Sequence, residues 1–145
     1  MVGNIDSLWA ILYVSSAIKE LSTSDVEYFL TLNRKSRSEN NITGIVLFSQ
    51  NNVLVIEEGL KDPVKAEFEK EKKHPAHHSI IKLFDGPIQH LFFESFPLAF
   101  KTIGKSPYSH LDDFATSEQK EYFDELLELD TSISKLIRDF IKNNS

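Results

Sequence analysis

The sequence predicts an α+β fold, a sheet covered by helices on both faces, on three observations. The stretch Asn40–Gly59 (NNITGIVLFSQNNVLVIEEG) holds two β-branched runs, Ile42–Phe48 and Val53–Ile56, around the polar break Ser49-Gln50-Asn51-Asn52; this is the pattern of a β-hairpin. Its runs are apolar at consecutive positions, so neither face of the sheet is left to solvent. A helix-forming segment lies on each side of the hairpin, and residues 116–143 add two amphipathic helical stretches.

Leu8–Ser15 is the first strand, with Trp9, Ile11 and Tyr13 on one face and Leu8, Leu12 and Val14 mostly on the other. Its apolar run follows no basic residue and is too short to span a bilayer or serve as a secretion signal. Ser22 caps a first helix, Asp25 suits its positive end, and Val26, Phe29 and Leu30 recur at helical spacing. Arg34, Lys35 and Arg37 near its C-terminal end read as solvated charges that offset the dipole. A second helix over Pro63–Lys73 turns Val64 and Phe68 inward. Glu67, Glu69, Lys70, Glu71, Lys72 and Lys73 read as its mixed-charge solvated surface. Ser79–Phe84 is a fourth strand, ended by Asp85-Gly86-Pro87, and Leu91–Leu98 a fifth, with Pro97 at an edge or bulge. The order β-α-β-β-α-β is the split βαβ, or ferredoxin-like, plan with one strand added, and right-handed crossovers put both helices on one face.

Gly104-Lys105-Ser106-Pro107 breaks this pattern. Thr116-Ser117-Glu118-Gln119 is a capping box for a helix carrying Tyr122, Phe123, Leu126, Leu127 and Leu129. A second cap at Asp130-Thr131 precedes Ile133, Leu136, Ile137, Phe140 and Ile141, a helical stripe. The helical hairpin suits the sheet face that the first two helices leave open. Residues 1–104 thus read as one α+β domain and 105–145 as a two-helix extension packed on the same domain.

Composition narrows the chemistry. A formal charge of −6 argues against a nucleic-acid surface, and the lack of cysteine removes disulfides and thiolate chemistry and points to a cytoplasmic setting. His74, His77, His78 and His90 straddle a helix end and a strand start with no carboxylate at ligand spacing, so they read as exposed loop histidines and not as a metal site. Glu57 and Glu58, adjacent on a strand, point to opposite faces and cannot form one acid–base dyad. No catalytic constellation supports an enzyme.

Seven stretches in order resemble the BLUF family, blue-light sensors using FAD. They are LYVSSA (12–17), LSTSDV (21–26), ITG (42–44), the EEGL turn (57–60), HPAHH (74–78), GPI (86–88) and FESFPLAF (93–100). The family's pattern lies on the chain from Tyr13 to Phe100 without a gap, and the two C-terminal helices resemble the tail of short members that signal through partner proteins. The resemblance implies a flavin (FAD or FMN) between the first two helices. It also implies a light-driven electron and proton transfer from a strand-one tyrosine, and a strand-three glutamine that rearranges its hydrogen bonds.

Carried over by position, the tyrosine is Tyr13, but the glutamine is Val55, which has no hydrogen bond to rearrange. The asparagine at the flavin's polar edge falls on Arg37, and the arginine before the family's histidine, here His77, falls on Ala76. The two aliphatic residues that clamp the ring are Phe29 and Glu71, and the strand-five tryptophan and methionine are Phe96 and Leu98. Arg37 is placed to reach Glu71 or Glu67 and close the cleft with an ion pair. The expectation is a BLUF-family module that acts through a protein partner or self-association, with flavin photochemistry lost. The alternative is an FAD-binding photoreceptor with altered contacts.

Overall fold

The computed structural model describes residues 7–16, 21–50, 52–73, 78–114 and 116–144. Strands β1 (Leu8–Ser16), β2 (Thr43–Phe48), β3 (Asn52–Leu60), β4 (His78–Pro87) and β5 (Ala99–Thr102) form one sheet in the order β4-β1-β3-β2-β5. Every neighbour is antiparallel except β2 and β5, which are parallel. Helices α1 (Thr23–Glu39) and α2 (Lys61–Lys72) connect the strands as the split βαβ plan requires, and α3 (Ser117–Leu127) and α4 (Ser132–Asn143) close the chain.

Strand alternation divides the interior into two cores. Leu12, Ile45, Leu47, Leu54 and Ile56 face α3 and α4, meeting Phe123, Leu126, Ile133, Ile137 and Phe140. Ile11, Tyr13, Val46, Val53 and Val55 face the other way, meeting Val26 and Leu30 of α1 and Val64 and Phe68 of α2. The C-terminal helical hairpin therefore covers the sheet face opposite the first two helices. Buried Ser134 ties its halves together by donating to the Leu126 carbonyl at 2.8 Å. Asn144 accepts from the Asn52 side chain at 2.9 Å and pins the end of α4 to the β2–β3 turn.

Local signals are realised as read. Ser22 and Asp25 form a capping box on α1, Thr116 and Gln119 one on α3, and Thr131 caps α4. The hairpin turn is closed by Ser49, whose hydroxyl donates to the Asn52 carbonyl at 2.7 Å and accepts from its N–H at 2.9 Å. Asn51 lies outside the described residues.

Three expectations about the strands are corrected. The EEGL segment is no turn: Glu57–Leu60 extends β3 and pairs with Leu8–Ile11. Asp85-Gly86-Pro87 does not end β4, because Trp9, Ala10 and Ile11 of β1 pair with it and the Trp9 indole donates to Asp85 at 2.6 Å. Pro87 is tolerated there because β4 is an edge strand. The fifth strand is Ala99–Thr102, whereas Leu91–Leu98 is irregular. Its backbone donors are taken by a side chain: Glu58 accepts from the Phe92 N–H at 2.8 Å and from the Phe93 N–H at 2.7 Å.

Candidate functional site

Between α1 and the sheet lies a mostly apolar cleft of about 80 Å³. Val46, Phe48, Val53 and Val55 line it from β2 and β3, Val26 and Phe29 from α1, and Leu98 and Phe100 from the β5 side. At its polar end stand Asn33, Arg37 and Glu71. Val55 is registered beside Tyr13 on one side and Val46 on the other, so the cleft and the Tyr13 ring share one sheet face.

Helical spacing delivers the charged groups. Val26, Leu30 and Arg37 fall on one face of α1, and Val64, Glu67, Phe68 and Glu71 on one face of α2. Both faces press on the sheet, so the solvated reading of these charges is overturned: Arg37 is 1% exposed, Glu67 4% and Glu71 8%. Arg34 is also engaged, donating to the Leu98 carbonyl at 2.9 Å and pairing with Asp113 at 3.1 Å.

Arg37 donates to the Ile56 carbonyl at 3.1 Å, and its Nη2 lies 3.6 Å from Glu71 Oε2. Gly44 makes that approach possible. A Cβ there would stand 1.9 Å from the Ile56 oxygen and 2.9 Å from Arg37 Nη1. Burial pulls the Arg37 pKa down, but Glu71 and then Glu57 outweigh it, and the net shift is upward. The Tyr13 hydroxyl donates to Glu71 Oε1, and burial followed by the Glu71 charge raises its pKa far enough to keep it a donor.

Glu57 and Glu58 diverge as strand neighbours must. Glu57 lies with Arg37 and Glu71, wholly buried. Burial first, then Glu71, pushes its carboxyl well above the ordinary range, and burial first also raises that of Glu67. Glu58 faces the other core and organises residues 92–93 and Thr43, whose hydroxyl donates at 2.7 Å. Burial raises its pKa too, against the pull of those donated bonds.

Of the positions singled out in the sequence, Phe29, Arg37, Val55, Glu71 and Leu98 line the cleft, whereas Tyr13 does not line it but donates to Glu71, which does. Phe96 does not: it belongs to the opposite core and packs against Phe114, ring centroids 5.1 Å apart. Ala76 and His77 lie outside the described residues, as does His74. Among the described residues no three His, Cys, Asp or Glu side chains are placed to hold a metal ion, and no helix is long and apolar enough to cross a membrane. Glu57 and Glu67 belong to the site; Glu67 was expected only as an alternative partner for Arg37, and Glu57 was missed. For Glu67 the signal is its place in the inward stripe of α2; for Glu57 it is its alternation with Val53 and Val55.

The chain therefore has a ferredoxin-like sheet with a helical hairpin on its second face and a cleft between the first helix and the sheet. The family model for sensors of blue-light using FAD matches residues 8–99, and the chain belongs to this BLUF family. No curated protein matches it in sequence. Among solved structures it is similar to BlrB, a BLUF protein in its dark state, at a TM-score of 0.67 and 19% identity, covering 96% of this chain and 98% of that one. BlsA in its photo-activated state gives a TM-score of 0.64 and 19% identity, over 86% of this chain and 98% of that one. BlrP1 of Klebsiella pneumoniae, in a manganese and cyclic-diGMP complex, gives 0.75 and 16% identity over 94% of this chain. The chain spans about a third of the length of BlrP1. At these identities the likeness carries the fold.

Proposed function

We propose that this chain is a BLUF-family signalling module that works by contact with a protein partner or a second copy, and that the family's flavin photochemistry has been lost. One observation carries the reading. The switch position is Val55, and the Tyr13 hydroxyl beside it is already committed to Glu71. A signal made by rearranging hydrogen bonds between a tyrosine, a glutamine and a flavin has no partner to move here.

The cleft supports the same reading. Its volume falls well short of the roughly 300–1,000 Å³ that encloses a drug-sized ligand. The polar edge of an isoalloxazine ring is rich in carbonyl acceptors, and Glu71 at the polar end presents a further acceptor. Arg37 has its Nη1 on the Ile56 carbonyl and its Nη2 against Glu71, which leaves only the buried Nε to donate. These residues do not fit the ring, and the burial of unmatched acceptors costs about 1–3 kcal/mol each. The absorbance spectrum of the protein reconstituted with FAD, before and after blue light, tests the proposal. The expected result is little bound flavin and no shifted state. A red shift that persists and decays in the dark would overturn the loss of photochemistry and establish the photoreceptor reading.

A further inference from the structure

Five ionisable side chains from four elements are buried together under α2: Tyr13 of β1, Arg37 of α1, Glu57 of β3, and Glu67 and Glu71 of α2. Three carboxyl groups thus face one guanidinium. Of the remaining charges on these elements among the described residues, Lys70 reaches the cluster, 3.4 Å from Glu67 Oε1 and half in solvent. The acceptor count does not close. Both oxygens of Glu57, Oε2 of Glu67 and Oε2 of Glu71 are buried without a hydrogen-bond donor, and Arg37 Nε is the one unpaired donor set against these four acceptors.

Neighbouring carboxylates can satisfy one another only through protons held between them. Glu71 is the centre of the arrangement: Tyr13 donates to one of its oxygens and Arg37 faces the other. A proton on Glu57 and another on Glu67 turn two orphaned acceptors into donors toward Glu71. They also leave one negative charge against one positive charge, a neutral buried cluster. We infer that α2 is latched to the sheet by two bound protons on Glu57 and Glu67, and that it releases as the pH rises.

The raised pKa values of Glu57 and Glu67, caused first by burial, agree in sign. A carboxyl whose folded pKa lies above its unfolded value binds more protons when folded. Its stabilisation is complete below the ordinary carboxylate range and is lost as the pH climbs through the raised folded value. Two such protons let the opening equilibrium change by up to about a hundred-fold per pH unit across that window. Release uncovers Val64, Phe68 and the sheet residues beneath them, an apolar surface that the closed form hides.

Hydrogen exchange of the full chain, without flavin, from about pH 5 to about pH 9 tests the latch once the intrinsic base-catalysed rate is divided out. Trp9, the only tryptophan, adds a fluorescence reading, since Lys61 and Lys65 of α2 lie over its ring at 4.6 and 5.3 Å. In the wild type, protection of α2 should fall and Trp9 emission shift as the pH rises, while α4 stays protected. In the double variant Glu57→Gln with Glu67→Gln, whose amides donate permanently, both changes should vanish. Should that variant fail to fold, Glu67→Gln alone must cut the slope to about ten-fold per pH unit. A wild type whose α2 protection is flat across the range would overturn the latch, as would a variant with an unchanged slope. Because no flavin is used, a negative light test leaves this result standing on its own.

Discussion

Gly44 and Arg37 set the polar end of the cleft between them. The glycine has a φ of +156° and no room for a side chain, since the nearest atoms to an added Cβ are the Ile56 carbonyl and the guanidinium itself. Gly44→Ala should therefore destabilise by about 1–3 kcal/mol through backbone displacement, read as a lowered urea midpoint. Arg37→Met removes the counter-charge of a buried cluster and should cost about 3–5 kcal/mol. That loss should be larger near pH 8 than near pH 5, because deprotonating Glu57 and Glu67, whose raised carboxyls Arg37 holds down, then adds buried negative charge with no counter-charge. Adding Glu71→Gln should recover part of the loss. Equal urea midpoints for wild type and Arg37→Met at both pH values would refute the arrangement.

Among the elements, those closed by neighbours in sequence were legible and those closed by distant groups were not. Ser22, Thr116 and Thr131 cap their helices with bonds to the third residue onward, so the motif contains its own partner. The apolar face of β1 and the stripe of α4 follow from period alone. The end of β4 and the position of β5 do not. β4 runs on because β1 supplies partners some seventy residues away, and Leu91–Leu98 leaves the sheet because Glu58 captures its amides. The site shows the same division. Tyr13 and Val55 entered the site through the resemblance to the family, but the run EFEKEK gives no compositional hint of which carboxylates are buried. The phase shared with Val64 and Phe68 is what turns Glu67 and Glu71 inward, Glu71 into the ion pair expected with Arg37. Glu58→Ala should leave two backbone N–H groups without acceptors, at about 1–3 kcal/mol each. Amides of Phe92 and Phe93 should then lose hydrogen-exchange protection while those of β2 keep it; unchanged protection at 92–93 would show that the loop holds itself.

Across the whole molecule, the two cores share one sheet, and each is closed by its own covering layer of helices. Leu12, Ile45, Leu47, Leu54 and Ile56 are each 0% exposed, and their cover is α3, α4 and the aromatic group Phe92, Phe93 and Phe114. Fully burying side chains of this size contributes about 1.5–3 kcal/mol each, roughly 7–15 kcal/mol for the five. A domain of this length has only about 5–15 kcal/mol of net stability, so losing the hairpin's part of that cover should be enough to upset cooperative folding. It is also fastened at both ends, by the Tyr122 hydroxyl donating to the Phe92 carbonyl and by the Asn52–Asn144 pair. Truncation after Gly104 should yield a protein that retains far-UV circular dichroism but loses near-UV signal and cooperative unfolding, or one that aggregates. A truncated chain that stays soluble and unfolds with the full chain's urea slope would show that the sheet carries its own stability. The C-terminal helices would then be free to leave the sheet and bind elsewhere.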